Sequence, residues 1–193
     1  MSRKFLTSGS SSAFLVVGVV AAAAAYATLL WTHISPYAGG ADSSGYMNYA
    51  KLLTHGQLLA PVRPLPGFTP TEFGESAYQP LGFRIRGDSG FMSPTYAVGL
   101  PLHLAAATLL AGVKNSVKLV NILAAFAAAL LTYLSSRYLK LGRAWAGGAT
   151  CVLCACPFFL SQALVPMSDL LATTWALAAL YAAMRSRERA AWT

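Results

Sequence analysis

Five apolar runs set the pattern of this chain. They cover residues 13–32, 95–113, 117–136, 145–165 and 169–184. Most are close to the roughly 20 residues that an α-helix needs to cross a bilayer. The pattern therefore predicts an all-α integral membrane protein, a polytopic helical bundle that forms one membrane domain over residues 1–193.

The first run presents a choice between a permanent span and a signal peptide. Arg3 and Lys4 precede it, as they would precede either, and the alanines at 21–25 would suit a signal peptidase. The stretch Ala13–Trp31 is longer than the apolar part of a signal peptide and long enough to span. We therefore favour an uncleaved first helix over a cleaved leader.

Basic residues give the orientation, because Lys and Arg concentrate on the cytoplasmic side of a membrane. Arg3 and Lys4 predict a cytoplasmic N-terminus, which puts the long polar stretch 33–94 outside. Two later basic clusters are expected inside: Arg137, Lys140 and Arg143, and then Arg185, Arg187 and Arg189.

The number of membrane crossings follows from the predicted sides of the outer loop and of the two basic clusters. Only one full crossing can separate the outer loop from the cluster at 137–143, yet two apolar runs lie between them. We predict four full spans, with 95–113 as an interfacial or re-entrant helix whose start is interrupted by Pro94 and Pro101. The alternative is five full crossings, which would put Asp42 and Asp169 on opposite sides.

The outer loop contains a short amphipathic pattern. Tyr46, Tyr49, Ala50 and Leu53 recur at helical spacing, which predicts a surface helix over 44–55. Asp42 or Ser43 is the expected N-cap and Gly56 the expected C-terminal stop. The rest of the loop, after the surface helix, is rich in turn residues and predicts irregular structure.

Composition agrees with a membrane protein and narrows the function classes. The chain is 56% hydrophobic and 10% charged, with a mean hydropathy of +0.53. Most of the basic residues behind its net charge of +8 flank apolar runs and do not cover a soluble face, which argues against nucleic-acid binding. Three cysteines at 151, 154 and 156 lie in an apolar run without acid or His partners, so packing is favoured over a metal or redox site.

Two of the six acids are candidates for chemistry. Asp42 and Asp169 both lie at the predicted outer ends of spans. An ionisable group there costs free energy unless it is hydrated or paired, so such a residue often has a function. One alternative is that each of them is simply a helix cap. Together they could also hold a divalent metal ion, or one could act as a general base toward a hydroxyl.

Four blocks of the chain resemble a known family in their order and spacing. They are "DSSGYMNYAKLLTHGQL", "SPTYAVGLPLHLAAATLLAG", "VNILAAFAAALLTYLSSRYLKLGRAWAG" and "CPFFLSQALVPMSDLLATTWALAALYAA". They are similar to the N-terminal half of the polyprenyl-phosphate-dependent membrane glycosyltransferases of the GT-C fold. That family includes protein O-mannosyltransferases, aminoarabinose transferases of lipid A and rhizobial core galacturonosyltransferases. The resemblance covers about residues 13 to 185.

The resemblance implies a transferase in the inner (plasma) membrane with its long loop in the periplasm. It implies a polyprenyl-phosphate-linked sugar donor and an inverting attack by an acceptor hydroxyl. Asp42 matches the catalytic base or metal ligand of the first outer loop, and Asp169 matches an acid of the next outer loop. Candidates for contacts with the donor phosphate are Arg84, Arg86, Lys114 and Lys118, and candidates for contacts with sugar or acceptor are Tyr46, Tyr78 and Tyr96.

The chain departs from the family pattern in three ways, one of which is "SPTY" at 93–96 where relatives often show His-Pro-Pro. Ser43 follows Asp42 where many relatives carry a second acid. Full enzymes have roughly twice as many spans, so the resemblance leaves room for a partner chain that supplies the others. The competing interpretation is a non-catalytic membrane protein that binds lipid or a partner helix bundle; a small transporter subunit is a more remote one.

Overall fold

The computed structural model describes residues 8–63, 66–68 and 74–190. Arg3 and Lys4, on which the predicted orientation depends, lie outside the described residues. The described chain is mostly helical, with one small sheet. It separates into two units, one ending at His33 and the other beginning at Ile34.

The first unit is a single long helix, α1, Ser8–His33. Its stretch Ala13–His33 has 21 residues and a mean hydropathy of 2.3, enough to cross a membrane. Large apolar side chains such as Phe14 and Leu15 are exposed along it. The hydroxyl of Thr28 donates to the carbonyl of Ala24, which satisfies a polar group within the helix itself. The predicted first membrane helix is thus present.

The second unit begins with the predicted surface helix, α2, Ala41–Thr54. It starts three residues earlier than expected, and the expected N-cap at Asp42 or Ser43 is wrong, because Gly40 is the capping residue. The Ser43 hydroxyl instead accepts a hydrogen bond from the Gly40 N–H at 3.0 Å from inside the first turn. This position leaves the Asp42 carboxylate free of a capping role.

The predicted stop at Gly56 is confirmed. Gly56 has a φ of +68°, and its N–H donates to the carbonyl of Leu53. The N–H of Gln57 donates to the carbonyl of Leu52. These two bonds form the glycine-dependent turn that ends many helices.

A three-stranded antiparallel sheet follows, where the sequence predicted only irregular chain. Its strands are β1 (Ala60–Pro61), β2 (Phe83–Ile85) and β3 (Phe91–Pro94), in the order β1-β3-β2. Phe83 and Met92 turn their buried side chains to one side of it. Short 3₁₀ turns at Glu75–Tyr78 and Gly87–Ser89 connect the strands.

Five further helices form a bundle. They are α3 (Gly99–Ala111), α4 (Val113–Tyr138), α5 (Arg143–Ala155), α6 (Pro157–Ala163) and α7 (Ser168–Ala190). The long α4 packs against α3, α5 and α7. Its buried positions include Ala124, Ala125 and Ala128, and such small side chains let helices approach closely in a membrane.

The expected continuous span over 145–165 is broken, which corrects the sequence prediction. Helices α5 and α6 meet at a bend of 61°. Cys156 at the break has φ −61° and ψ 122°, an extended conformation. Pro157 explains this, because a proline disfavours the helical conformation in the residue before it and cannot donate a backbone hydrogen bond.

Within the described residues, two helices are long and apolar enough to cross a membrane, or three if the bent pair is one span. These are α1, α4 and the α5–α6 pair. Helix α3 has 13 residues, about 20 Å, and is too short to cross a hydrocarbon core of about 30 Å. The chain is therefore a mostly helical membrane protein; the predicted fourth span, α7, does not reach the same hydropathy.

Candidate functional site

The candidate site is centred on Asp42, the exposed carboxylate in the first turn of α2. The Tyr96 hydroxyl donates a hydrogen bond of 2.5 Å to its Oδ1. The two residues are 54 positions apart, so the bond joins α2 to the segment between β3 and α3. The bond fixes the orientation of the carboxylate.

The sheet fixes the place of Tyr96. The N–H of Thr95, directly after β3, donates to the carbonyl of Gly82 at 3.0 Å. This bond continues the β2–β3 pairing by one step and delivers Tyr96 beside the first turns of α2. The small sheet, absent from the sequence prediction, is thus what brings the phenol to Asp42.

Two glycines make room for the Tyr96 ring. A Cβ on Gly45 would overlap the ring and would lie 3.0 Å from the Gly82 Cα. Gly82 has a φ of +84°, and a Cβ on it would in turn overlap the Gly45 backbone. Helix α2 therefore touches the chain before β2 backbone to backbone, which only glycine permits.

Tyr46 extends the cluster toward the last helix. Its buried ring lies 4.9 Å from that of Tyr96, centroid to centroid, at a tilt of 44°. Its hydroxyl forms a 2.9 Å hydrogen bond with the hydroxyl of Ser168, the first residue of α7. We call Asp42, Tyr96, Tyr46 and Ser168 the Asp42 cluster.

The electrostatics of the cluster favour a protonated phenol. The hydrogen bond to Asp42 raises the pKa of Tyr96 above its usual value, and desolvation and the negative charge of Asp42 act in the same direction. Tyr96 thus stays a hydrogen-bond donor at physiological pH. Among the described residues, no hydrogen bond engages the second oxygen, Oδ2, so it is open to a proton from a hydroxyl.

Asp169 lies exposed in the first turn of α7, next to Ser168. The helix begins at Ser168, so Asp169 is not its N-cap, as expected from the sequence, but a residue of its first turn. The helix dipole favours a negative charge at this position. The Tyr46–Ser168 bond brings the beginning of α7 to the Asp42 cluster. No direct bond between the two carboxylates occurs in the described chain.

The residues present do not assemble a metal centre. No group of three or more His, Cys, Asp or Glu side chains that could hold a metal ion occurs in the described part of the chain. Asp42 and Asp169 together would supply two protein ligands, fewer than a protein cage for a divalent cation usually offers. The metal site stays a prediction without a third ligand.

The basic candidates occupy other positions. Arg84 is exposed on β2 and Arg86 is exposed directly after it. Lys118 is half-buried in α4, and Lys114 is exposed at the start of that helix. No ion pair joins Arg84 or Arg86 to Asp42 among the described side chains, so their role toward a phosphate stays a prediction.

Sequence reasoning missed Gly45, Gly82 and Ser168. A glycine inside a helical pattern was a usable signal for Gly45, because such glycines often have a packing reason. Gly82 and Ser168 carried no local signal, since their importance comes from partners 37 and 122 positions away.

Comparison of the chain with protein-family models, curated proteins and solved structures finds no match. The resemblance to GT-C glycosyltransferases therefore rests on the sequence blocks alone, and the site must carry the functional argument.

Proposed function

We propose that the chain is a membrane glycosyltransferase that moves a sugar from a polyprenyl-phosphate donor to a lipid, glycan or protein hydroxyl. One observation carries the proposal: the exposed Asp42 carboxylate is held by Tyr96, nine residues after the apolar helix α1 ends. A lipid-linked donor presents its sugar at the membrane surface, and the chain reaches that surface where a span ends.

The chemistry assigned to Asp42 is general base catalysis. Its Oδ2 accepts the proton of the acceptor hydroxyl while the hydroxyl oxygen bonds to the anomeric carbon. The bond from that carbon to the phosphate oxygen breaks, and the polyprenyl phosphate leaves with the electron pair. Tyr96 is a positioning residue, because it holds Oδ1 and so aims Oδ2.

Several residues are assigned to the donor and acceptor. Tyr96 presents its ring to a sugar beside Asp42, the buried ring of Tyr46 packs against it, and Asp169 supplies a second carboxylate near the start of α7. The developing charge on the phosphate needs cationic partners, and we assign Arg84, Arg86 and Lys118 to that role. No step requires a metal ion.

We further infer four crossings: α1, α4, the bent α5–α6 pair and α7. The N-terminus is then cytoplasmic and the loop 33–94 periplasmic, in the inner membrane. The Tyr46–Ser168 hydrogen bond supports this arrangement, because Tyr46 follows Asp42 by one turn and Ser168 immediately precedes Asp169. The Ser35 N–H also donates to the Leu164 carbonyl at 2.9 Å, which joins the same two regions.

The proposal is tested by donor turnover in host membrane vesicles that contain the chain. The probes are undecaprenyl phosphates that carry a labelled hexose, pentose or uronic acid, and the readout is released undecaprenyl phosphate. Asp42→Asn should slow release by about 10²- to 10⁴-fold, the usual range for loss of a general base. Tyr96→Phe should cause a smaller loss.

Tyr37→Phe is the matched control, because this outer tyrosine is 69% exposed and lies outside the Asp42 cluster. It should leave the rate unchanged. Wild-type turnover that survives Asp42→Asn would remove Asp42 from the base role. Donor binding without turnover of any probe would favour the non-catalytic, lipid-binding alternative.

A further inference from the structure

A cleft lies between α2 and the small sheet, apart from the Asp42 cluster. Its volume is about 470 Å³, within the range of small-molecule sites. Asn48, Lys51 and Leu52 of α2 line it together with His55, which directly follows the helix, at the i, i+3, i+4 and i+7 spacing of one helix face. Lys51 is nine residues from Asp42, about 14 Å along the axis and about 180° around it.

The floor of this cleft is apolar. Tyr78, Phe83 and Met92 are all buried, at 7%, 4% and 5% exposure. Leu52 and Pro80 complete the apolar lining. An aromatic and apolar floor is suited to the C–H face of a sugar ring.

The rim is basic. Lys51 and Arg63 are exposed at the edge of the cleft, and no acid is among the residues that line it in the described chain. Two cations over one cavity without a carboxylate to neutralise them attract an anionic group. Arg and Lys are the side chains that bind phosphate most often.

Neutral polar groups at the rim fit hydroxyls. Asn48 and Gln57 offer amide donors and acceptors. The His55 Nδ1 lies 2.8 Å from the Lys51 carbonyl oxygen, which can only accept, so Nδ1 carries the proton. In the tautomer that carries this proton, Nε2 is a hydrogen-bond acceptor.

We propose that this cleft binds a phosphorylated sugar, with the ring on the Phe83–Met92 floor and the phosphate between Lys51 and Arg63. The proposal is independent of the transferase assignment, because it concerns binding at a separate face of α2. No bond is made or broken in it.

The test is titration calorimetry on the chain in nanodiscs of uncharged lipid. Glucose 1-phosphate should bind, while glucose and inorganic phosphate alone should bind at least about tenfold more weakly, since each lacks half of the contacts. Lys51→Gln and Arg63→Gln should each weaken glucose 1-phosphate binding by about tenfold or more, as expected for a charge-assisted hydrogen bond. Arg187→Gln, a removed charge at the far end of α7, should not change it.

Equal binding of glucose and glucose 1-phosphate would overturn the proposal, and so would equal binding of inorganic phosphate. Sugar phosphate binding that survives both rim substitutions would place the ligand elsewhere and overturn it too. A rise in melting temperature with phosphatidylglycerol nanodiscs, lost in Lys51→Gln and unmatched by glucose 1-phosphate, would assign the rim to a lipid headgroup instead.

Discussion

At the scale of single residues, the contact between Tyr96 and Asp42 decides how the candidate site behaves with pH. The phenol donates to a carboxylate, so ionising it would turn an attraction into repulsion between two anions. Its pKa is therefore raised above the usual 10.0, first by this hydrogen bond and then by desolvation and the charge of Asp42. The protonated phenol contributes stability at pH values below the unfolded pKa, and that contribution disappears as the pH rises through the folded pKa.

This shift gives a prediction that does not depend on catalysis. The phenolate absorbance of Tyr96, isolated as the difference between wild type and Tyr96→Phe, should appear at a higher pH than for a free tyrosine. Asp42→Asn should lower that midpoint, because the charge is lost and the amide is a weaker acceptor. Asp169→Asn should leave it unchanged. Identical midpoints in Asp42→Asn and wild type would show that the carboxylate does not hold the phenol.

At the scale of elements, the join between α6 and α7 depends on one buried asparagine of α4. The Asn121 amide nitrogen donates to the carbonyls of Ala163 at 3.0 Å and Val165 at 2.8 Å. Asn121 is 1% exposed and Ala163, the last residue of α6, is 0% exposed, so the bond between them is shielded from water. A buried carbonyl without a donor is costly, and more so inside a membrane protein.

Asn121→Leu should therefore lower the free energy of unfolding by about 1 to 3 kcal/mol, since the Ala163 carbonyl loses its donor and the Val165 carbonyl keeps only the Met167 N–H. Unfolding by urea or SDS in mixed micelles measures it. Asn115→Leu is the matched control in the same helix, because among the described residues the Asn115 side-chain amide bonds to the Ala111 carbonyl one turn away and to no distant element. If both substitutions cost the same, Asn121 does not clamp the α6–α7 turn.

The same elements show what the sequence predicts and what it does not. Helix α2 and its stop at Gly56 were predictable, because helical spacing and a left-handed glycine are local signals. The strands are two to four residues long and pair across gaps of up to 32 positions, so no local pattern marks them. Pro157 was visible inside an apolar run, but hydropathy alone does not distinguish a straight span from a bent pair.

The candidate site also has a part that the sequence predicts and a part that it does not. Asp42, Tyr46 and Tyr96 were each predictable as polar groups near a membrane exit. Their arrangement was not, because it depends on the close approach of Gly45 and Gly82. A pair 54 residues apart is set by the tertiary fold, which a single sequence without relatives does not encode in any local window.

At the scale of the whole molecule, the inferred four crossings and the five-crossing alternative differ in the side on which Met167 lies. With four crossings, Met167 in the α6–α7 turn is outside with Gly39; with five, the two are on opposite sides. Two hydrogen bonds within the second unit indicate that Gly39 and Met167 lie on the same side of the membrane. Ser35 bonds to Leu164, and Tyr46 bonds to Ser168. Such bonds cannot form between groups separated by a bilayer about 30 Å thick.

A membrane-impermeant thiol reagent on right-side-out vesicles tests this. Cys151, Cys154 and Cys156 are first replaced by alanine, and single cysteines are then introduced as Gly39→Cys, Met167→Cys and Leu139→Cys. We expect Gly39→Cys and Met167→Cys to react in intact vesicles and Leu139→Cys only after permeabilisation. Opposite behaviour of the first two would exclude any mechanism in which Asp42 and Asp169 serve one donor. It would also contradict the Tyr46–Ser168 hydrogen bond, on which the shape of the Asp42 cluster depends.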